Sequence, residues 1–122
     1  MPHCIIEYSK ELEKIVDPSV LVESVYQGAL KTNFFEETDI KTRAIAFEHH
    51  QIGSLKMNFI HVTLKILAGR STEKRVDLSN SILTELRVLP ELKGIGLSDI
   101  SLTIEVCEIE KITYAKSVIE AQ

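Results

Sequence analysis

Phe59-Ile60-His61-Val62-Thr63-Leu64-Lys65-Ile66-Leu67 runs directly into Ala68-Gly69-Arg70-Ser71. The stretch Met57–Leu67 reads as one long strand, Ala68–Ser71 breaks it, and Ser71 offers a side-chain oxygen to start a helix. That helix carries Leu78, Ile82 and Leu86 on one face, and Pro90 is expected to end it near residue 89. The strand has an earlier echo, because Pro2-His3-Cys4-Ile5-Ile6-Glu7 matches Ile60-His61-Val62-Thr63-Leu64-Lys65. Each copy continues through a helix to another strand, so the chain reads as β-α-β twice.

The first copy spans about residues 2–50. Its strand is Pro2–Ser9, with Cys4 and Ile6 on one face and Ile5 on the other. Lys10–Val16 is a polar link, and Asp17-Pro18 supplies an N-cap and a first-turn proline. The first helix should reach about Lys31, with Leu21, Val25 and Ala29 on one face. Phe34-Phe35 sits in a short connection, and Lys41–His50 reads as a strand in which Ile45 and Phe47 share a face. Gln51–Lys56, with Gly53-Ser54, is a turn into the second copy, residues 57–109. There Gly94 and Gly96 mark a loop, and Asp99–Ile109 is the last strand, with Leu102, Ile104 and Val106 on one face. The tail 110–122 is amphipathic and expected to pack on a partner subunit.

Two such units give a single α/β (α+β) domain over residues 1–122: a four-stranded mixed sheet with both helices on one face. The other face is left uncovered although its strands are largely apolar, which predicts self-association.

Composition narrows the function. The 122 residues suit one domain, and 44% hydrophobic with 26% charged residues can bury a core without a disorder signature. A net charge of −4, with no basic tract or glycine-rich phosphate loop, excludes a general nucleic-acid binder. No signal peptide or membrane-length apolar run is visible, and Cys4 and Cys107 lie in apolar strand-like runs as reduced, buried thiols. The cytoplasm fits all of this.

The opening Met1-Pro2 carries the sharpest chemistry. Once Met1 is removed, Pro2 presents a free secondary amine at the start of an apolar strand. Desolvation and nearby cations disfavour its protonated form and bring it toward neutrality, where a general base is most effective. With Met1 retained, the same nitrogen is an amide with no basic lone pair.

The opening Pro2–Ser9, the segment Asp39-Ile40-Lys41-Thr42-Arg43-Ala44-Ile45 and above all Phe59–Ser71 resemble the 5-carboxymethyl-2-hydroxymuconate Δ-isomerase family of the tautomerase superfamily. The resemblance covers nearly the whole chain. It implies a duplicated β-α-β subunit, a barrel-like homotrimer, no metal or organic cofactor, and isomerisation of a dienol carboxylic acid to its 2-oxo form in homoprotocatechuate breakdown. Carried over by position, the catalytic amino-terminal proline falls on Pro2 and a substrate-binding arginine on Arg70. A second family arginine falls on Lys41, which keeps the charge and loses the planar fork that grips a carboxylate twice. Arg43, two residues on and on the same strand face, is the candidate to take over that role. Arg70, Lys41 and Arg43 would together hold a substrate with two or three carboxylates, helped by the helix N-terminus beside Arg70.

Other clusters carry less. His49 and His50 with His61 and Cys107 match no metal-ligand spacing, so no metal is expected. His3 and His61 occupy equivalent places in the two repeats, which suggests a shared packing role. Cys4 lacks an identifiable base, and Glu73, Lys74 and Arg75 read as a solvated helix face. The competing readings are a non-catalytic trimeric binding module of the same fold, which a free Pro2 with a depressed pKa separates from the enzyme, and a tautomerase for a different dienol acid, which Lys41 leaves open.

Overall fold

A computed structural model describes residues 1–94 and 98–122. The loop glycine Gly96 lies outside the described residues. Four strands form one sheet: β1 (His3–Ser9), β2 (Lys41–Phe47), β3 (Asn58–Leu67) and β4 (Ile100–Ile109), in the order β2-β1-β3-β4. β1 pairs in parallel with β2 and β3 with β4, while β1 and β3 run antiparallel at the centre. Parallel pairs need a crossover, and α1 (Pro18–Leu30) and α2 (Thr72–Arg87) supply the two. The expected duplication in element order is therefore present, and the sheet is mixed.

The helices form where local chemistry starts and stops them. Asp17 accepts the Ser19 N–H at 2.9 Å and Ser71 accepts the Lys74 N–H at 3.2 Å, which satisfies donors that the first turns leave open. α2 ends at Arg87, two residues before the expected limit, because Leu89 precedes Pro90 and is held extended at ψ 119°. α1 buries Leu21, Val25 and Ala29, and α2 buries Leu78, Ile82 and Leu86, all completely. Gly28 lets the two helices touch: a Cβ there would stand 2.8 Å from the Cα of Ile82.

Both helices pack on the face formed by Cys4, Ile6 and Tyr8 of β1 and Ile60, Val62, Leu64 and Ile66 of β3. Each fully buried aliphatic side chain there contributes about 1.5–3 kcal/mol of burial. Leu12 and Val16 join this core, so Lys10–Val16 is more than a polar link: a 3-10 turn over Lys10–Lys14 folds its apolar residues under the sheet end. β2 stops at Phe47 and not at His50, because Phe47 pairs with Ser9, the last residue of β1. His49 and His50 accordingly lie beyond the strand.

The uncovered face departs from expectation. Strand alternation sends most apolar residues to the helices. The open face receives His3, Glu7, Lys41, Arg43, His61, Thr63, Lys65, Thr103 and Glu105, with Ile5, Ile45, Phe47, Phe59, Leu67 and Ile109 as its apolar part. It is a mixed polar surface, so apolar exposure is not what would drive association there. Cys107 also lies on it, half-buried and free, whereas Cys4 is fully buried as expected. Among the described residues no helix is long and apolar enough to cross a membrane.

Candidate active site

The break after β3 sets the site. Gly69 adopts φ +123°, a conformation that L side chains rarely take, and this turns the chain so that Arg70 leaves the sheet end. Arg70 is then fixed from the other half of the molecule. Its guanidinium lies 4.7 Å from the Phe35 ring centroid and 5.4 Å from that of Phe34, and donates to the Phe34 carbonyl at 2.8 Å. Such stacking stabilises a cation by about 0.5–2 kcal/mol and holds its fork in one orientation. The Phe34-Phe35 pair, unremarked in the sequence beyond its place in a connection, is the platform of the arginine.

Arg70, Phe35, Leu67, Ala68 and Gly69 line a cavity of about 240 Å³, whose remaining walls are Met1 and Lys111. Pro2, the next residue after Met1, is itself buried and does not line the cavity; its carbonyl accepts the Lys41 N–H at 3.0 Å, which fixes where β1 begins against β2. The Met1 amine is held below its ordinary pKa by burial; Lys41 and Lys116 push the same way, and Asp39 opposes them. Burial and the two lysines thus act against protonation of the Met1 amine.

The other two expected binding cations stand apart from the cavity wall. Lys41 donates through Nζ to the Asp39 carbonyl at 3.4 Å. Arg43 donates to Nδ1 of His3 at 3.1 Å. Because a guanidinium only donates, Nδ1 of His3 must accept, and Nε2 carries the proton toward Tyr114 Oη at 3.1 Å. His3 is thus a polar bridge, and its ring also packs edge-on against Tyr114 at 6.2 Å between centroids. Burial, with Arg43 and Lys41 next in weight, keeps its pKa below the usual histidine value.

His61 likewise belongs to a polar lattice, bonded to Thr103 at 2.7 Å and to Glu105 at 2.8 Å. This bond to His61 holds the Glu105 carboxyl below its usual pKa. His50 contacts the Met57 carbonyl at 2.8 Å. Two larger cavities, of about 420 and 360 Å³, lie at the opposite end of β3, around His50 to Asn58 and between Leu86 and Leu102. The smaller one is the better candidate because the amino terminus and a clamped arginine meet there. What the sequence missed is where the amphipathic tail goes within its own subunit: Lys111 stands on the cavity wall and Tyr114 on His3.

The tail turns over Lys111–Thr113 and runs back along its own subunit, with Lys116 3.5 Å from Asp39. Ile112, Val118 and Ile119 remain exposed.

Solved structures share this fold. The chain is similar to a solved 5-carboxymethyl-2-hydroxymuconate delta-isomerase, at 20% identity and a TM-score of 0.84 over 97% of this chain and 89% of that one. A 5-carboxymethyl-2-hydroxymuconate isomerase from Deinococcus radiodurans R1 is similar at 22% identity, with a TM-score of 0.79 over 95% and 88%. A fused 4-OT wild type symmetric trimer shares the fold at 12% identity, with a TM-score of 0.68 over 94% and 91%. No curated protein sequence matches. The sequence profile described as 5-carboxymethyl-2-hydroxymuconate isomerase matches residues 2–122. The chain therefore belongs to the 5-carboxymethyl-2-hydroxymuconate isomerase family, and is an isomerase of the tautomerase superfamily.

Proposed function

We propose that the chain acts as a single tautomerase-like domain over residues 1–122 and converts a 2-hydroxymuconate-type dienol acid to its 2-oxo form, as 5-carboxymethyl-2-hydroxymuconate Δ-isomerase in homoprotocatechuate breakdown. Pro2, freed of Met1, is the base. The carrying observation is that the amino terminus and the clamped Arg70 share one small cavity. The neutral amine takes the 2-hydroxyl proton and the oxygen lone pair closes to a carbonyl. The conjugated double bonds shift by one place, and the remote carbon receives a proton. Arg70 holds a carboxylate and stabilises the charge that spreads over the conjugated acid. Atoms balance within one molecule, so no cofactor is called for.

Lys41 acts chiefly by charge, beside the amine, and Arg43 through His3. Since neither lines the cavity, the identity of the dienol acid is the open part of this reading. A homotrimer in the cytoplasm is part of the same proposal: β2 and β4 are edge strands with free backbone groups, and fold neighbours include symmetric trimers.

The test is ketonisation of a 2-hydroxymuconate-type dienol, followed by ultraviolet absorbance, with protein shown by mass to lack Met1. Turnover should fall by roughly 10²-fold or more in Pro2→Ala, the scale of general-base help. Turnover no faster than buffer across a panel of dienol acids would refute the assignment.

A further inference from the structure

The cavity beside Arg70 has a second cation. Lys111 stands on its wall, contributed by the tail and not by either β-α-β unit. Its Nζ lies 3.2 Å from where a Cβ on residue 69 would be, so the ammonium sits directly over Gly69. Gly69 thus serves twice, giving the turn its positive φ and leaving the space that the lysine occupies.

The tail is fastened on both sides of this contact. Upstream, the Ala68 N–H donates to the Ile109 carbonyl at 2.9 Å. Downstream, Tyr114 meets His3 at 3.1 Å and Lys116 meets Asp39 at 3.5 Å. Charge supports a ligand-facing role. The carboxylate of Glu108 borders the same turn, accepting the Gly69 N–H at 3.4 Å, but its ion pair is with Arg75, at 3.7 Å. No acidic side chain among the described residues forms a salt bridge with Lys111. Arg70 and Lys111 therefore present two cations to one cavity, of which only Arg70 is stacked and internally bonded.

We propose that Lys111 is a specificity-determining residue, which binds the second carboxylate of a dicarboxylate substrate whose first carboxylate is held by Arg70. It takes the place that Lys41 and Arg43 leave by facing the open sheet. This rests on the isomerase reading above for the reaction, though not for the binding itself.

The test separates the two by measuring binding without turnover. trans,trans-Muconate and sorbate share a six-carbon diene skeleton and differ in the second carboxylate. Their dissociation constants are measured by calorimetry on protein lacking Met1. The wild type should prefer muconate, and Lys111→Gln should cut that preference on the order of tenfold, the weight of one charge-assisted hydrogen bond. Lys111→Arg should keep it. A preference unchanged in Lys111→Gln, lost equally in Lys111→Arg, or absent from the wild type overturns the proposal. Dienol turnover by the same wild-type sample reports separately on the isomerase reading, which survives any of those results.

Discussion

Ile5 and Ile6 are identical neighbours on β1 and live in different surroundings. Ile6 points to the helices and is fully buried among Leu21, Val25 and the β3 aliphatics. Ile5 points to the open face, half-buried, in register with Arg43 on one side and Thr63 on the other. One face of the sheet is a packed core, and the other is a lattice of histidines, lysines and carboxylates. The difference shows where each property of the molecule resides. Stability comes from the covered face, and the electrostatics that surround the amino terminus come from the open one.

Truncation should expose this asymmetry most strongly. Ile6→Ala removes buried methylenes and leaves a cavity in a core closed on both sides, at an expected loss of about 2–5 kcal/mol. Ile5→Ala should lose clearly less, since part of its surface is already in water. Chemical denaturation of the two variants checks this; equal losses would mean that a partner subunit covers the open face as tightly as the helices cover the other.

The cysteines give the next contrast. Burial pushes the Cys4 thiol up to about 11, so its reactive thiolate is scarce as well as enclosed. Cys107 sits half-buried on the open face. A thiol reagent should modify Cys107 in the native protein and reach Cys4 only on unfolding. Two thiols reacting at one rate would break the distinction between the faces, and none reacting would place a partner over Cys107.

Much of the fold was legible because alternation and capping are local. The strand at Phe59–Leu67, the Ser71 cap and the spacing of Leu78, Ile82 and Leu86 all lie where the pattern puts them. The polarity of the open face was legible too, once each strand is divided by parity; composition taken over whole strands conceals it. At the site, the family resemblance pointed to Arg70, whereas its seat on Phe34 and Phe35 arises from residues 35 positions or more away. Lys111 and Tyr114 belong to a tail whose amphipathic pattern does not say which surface it meets. They matter because the tail happens to return past the start of β1, which only tertiary packing decides. His3 was read only in part for the same reason: the repeat pairs it with His61, and its polar partners, Arg43 and Tyr114, come from β2 and the tail.

The smallest effect expected is a pH dependence at His3. Met1, Arg43 and Lys41, Lys65 and Tyr114 face it from every side, and all the charged groups among these are cationic. Burial first, then those cations, keep its pKa in the folded state below the ordinary 6.5. Above that value His3 is neutral in both states and contributes no slope. As pH falls below it, the unfolded chain binds a proton that the folded protein refuses, so stability falls until the lower folded value is passed. Protonation also ends the ability of Nδ1 to accept from Arg43, which loosens the link between β2, β1 and the tail. Thermal unfolding between pH 7.5 and 5 should therefore show a decline that is shallower in His3→Gln, which retains a hydrogen-bonding side chain and cannot titrate. An identical slope in both proteins would show that His3 is solvated and that the tail is not fastened to β1 through it.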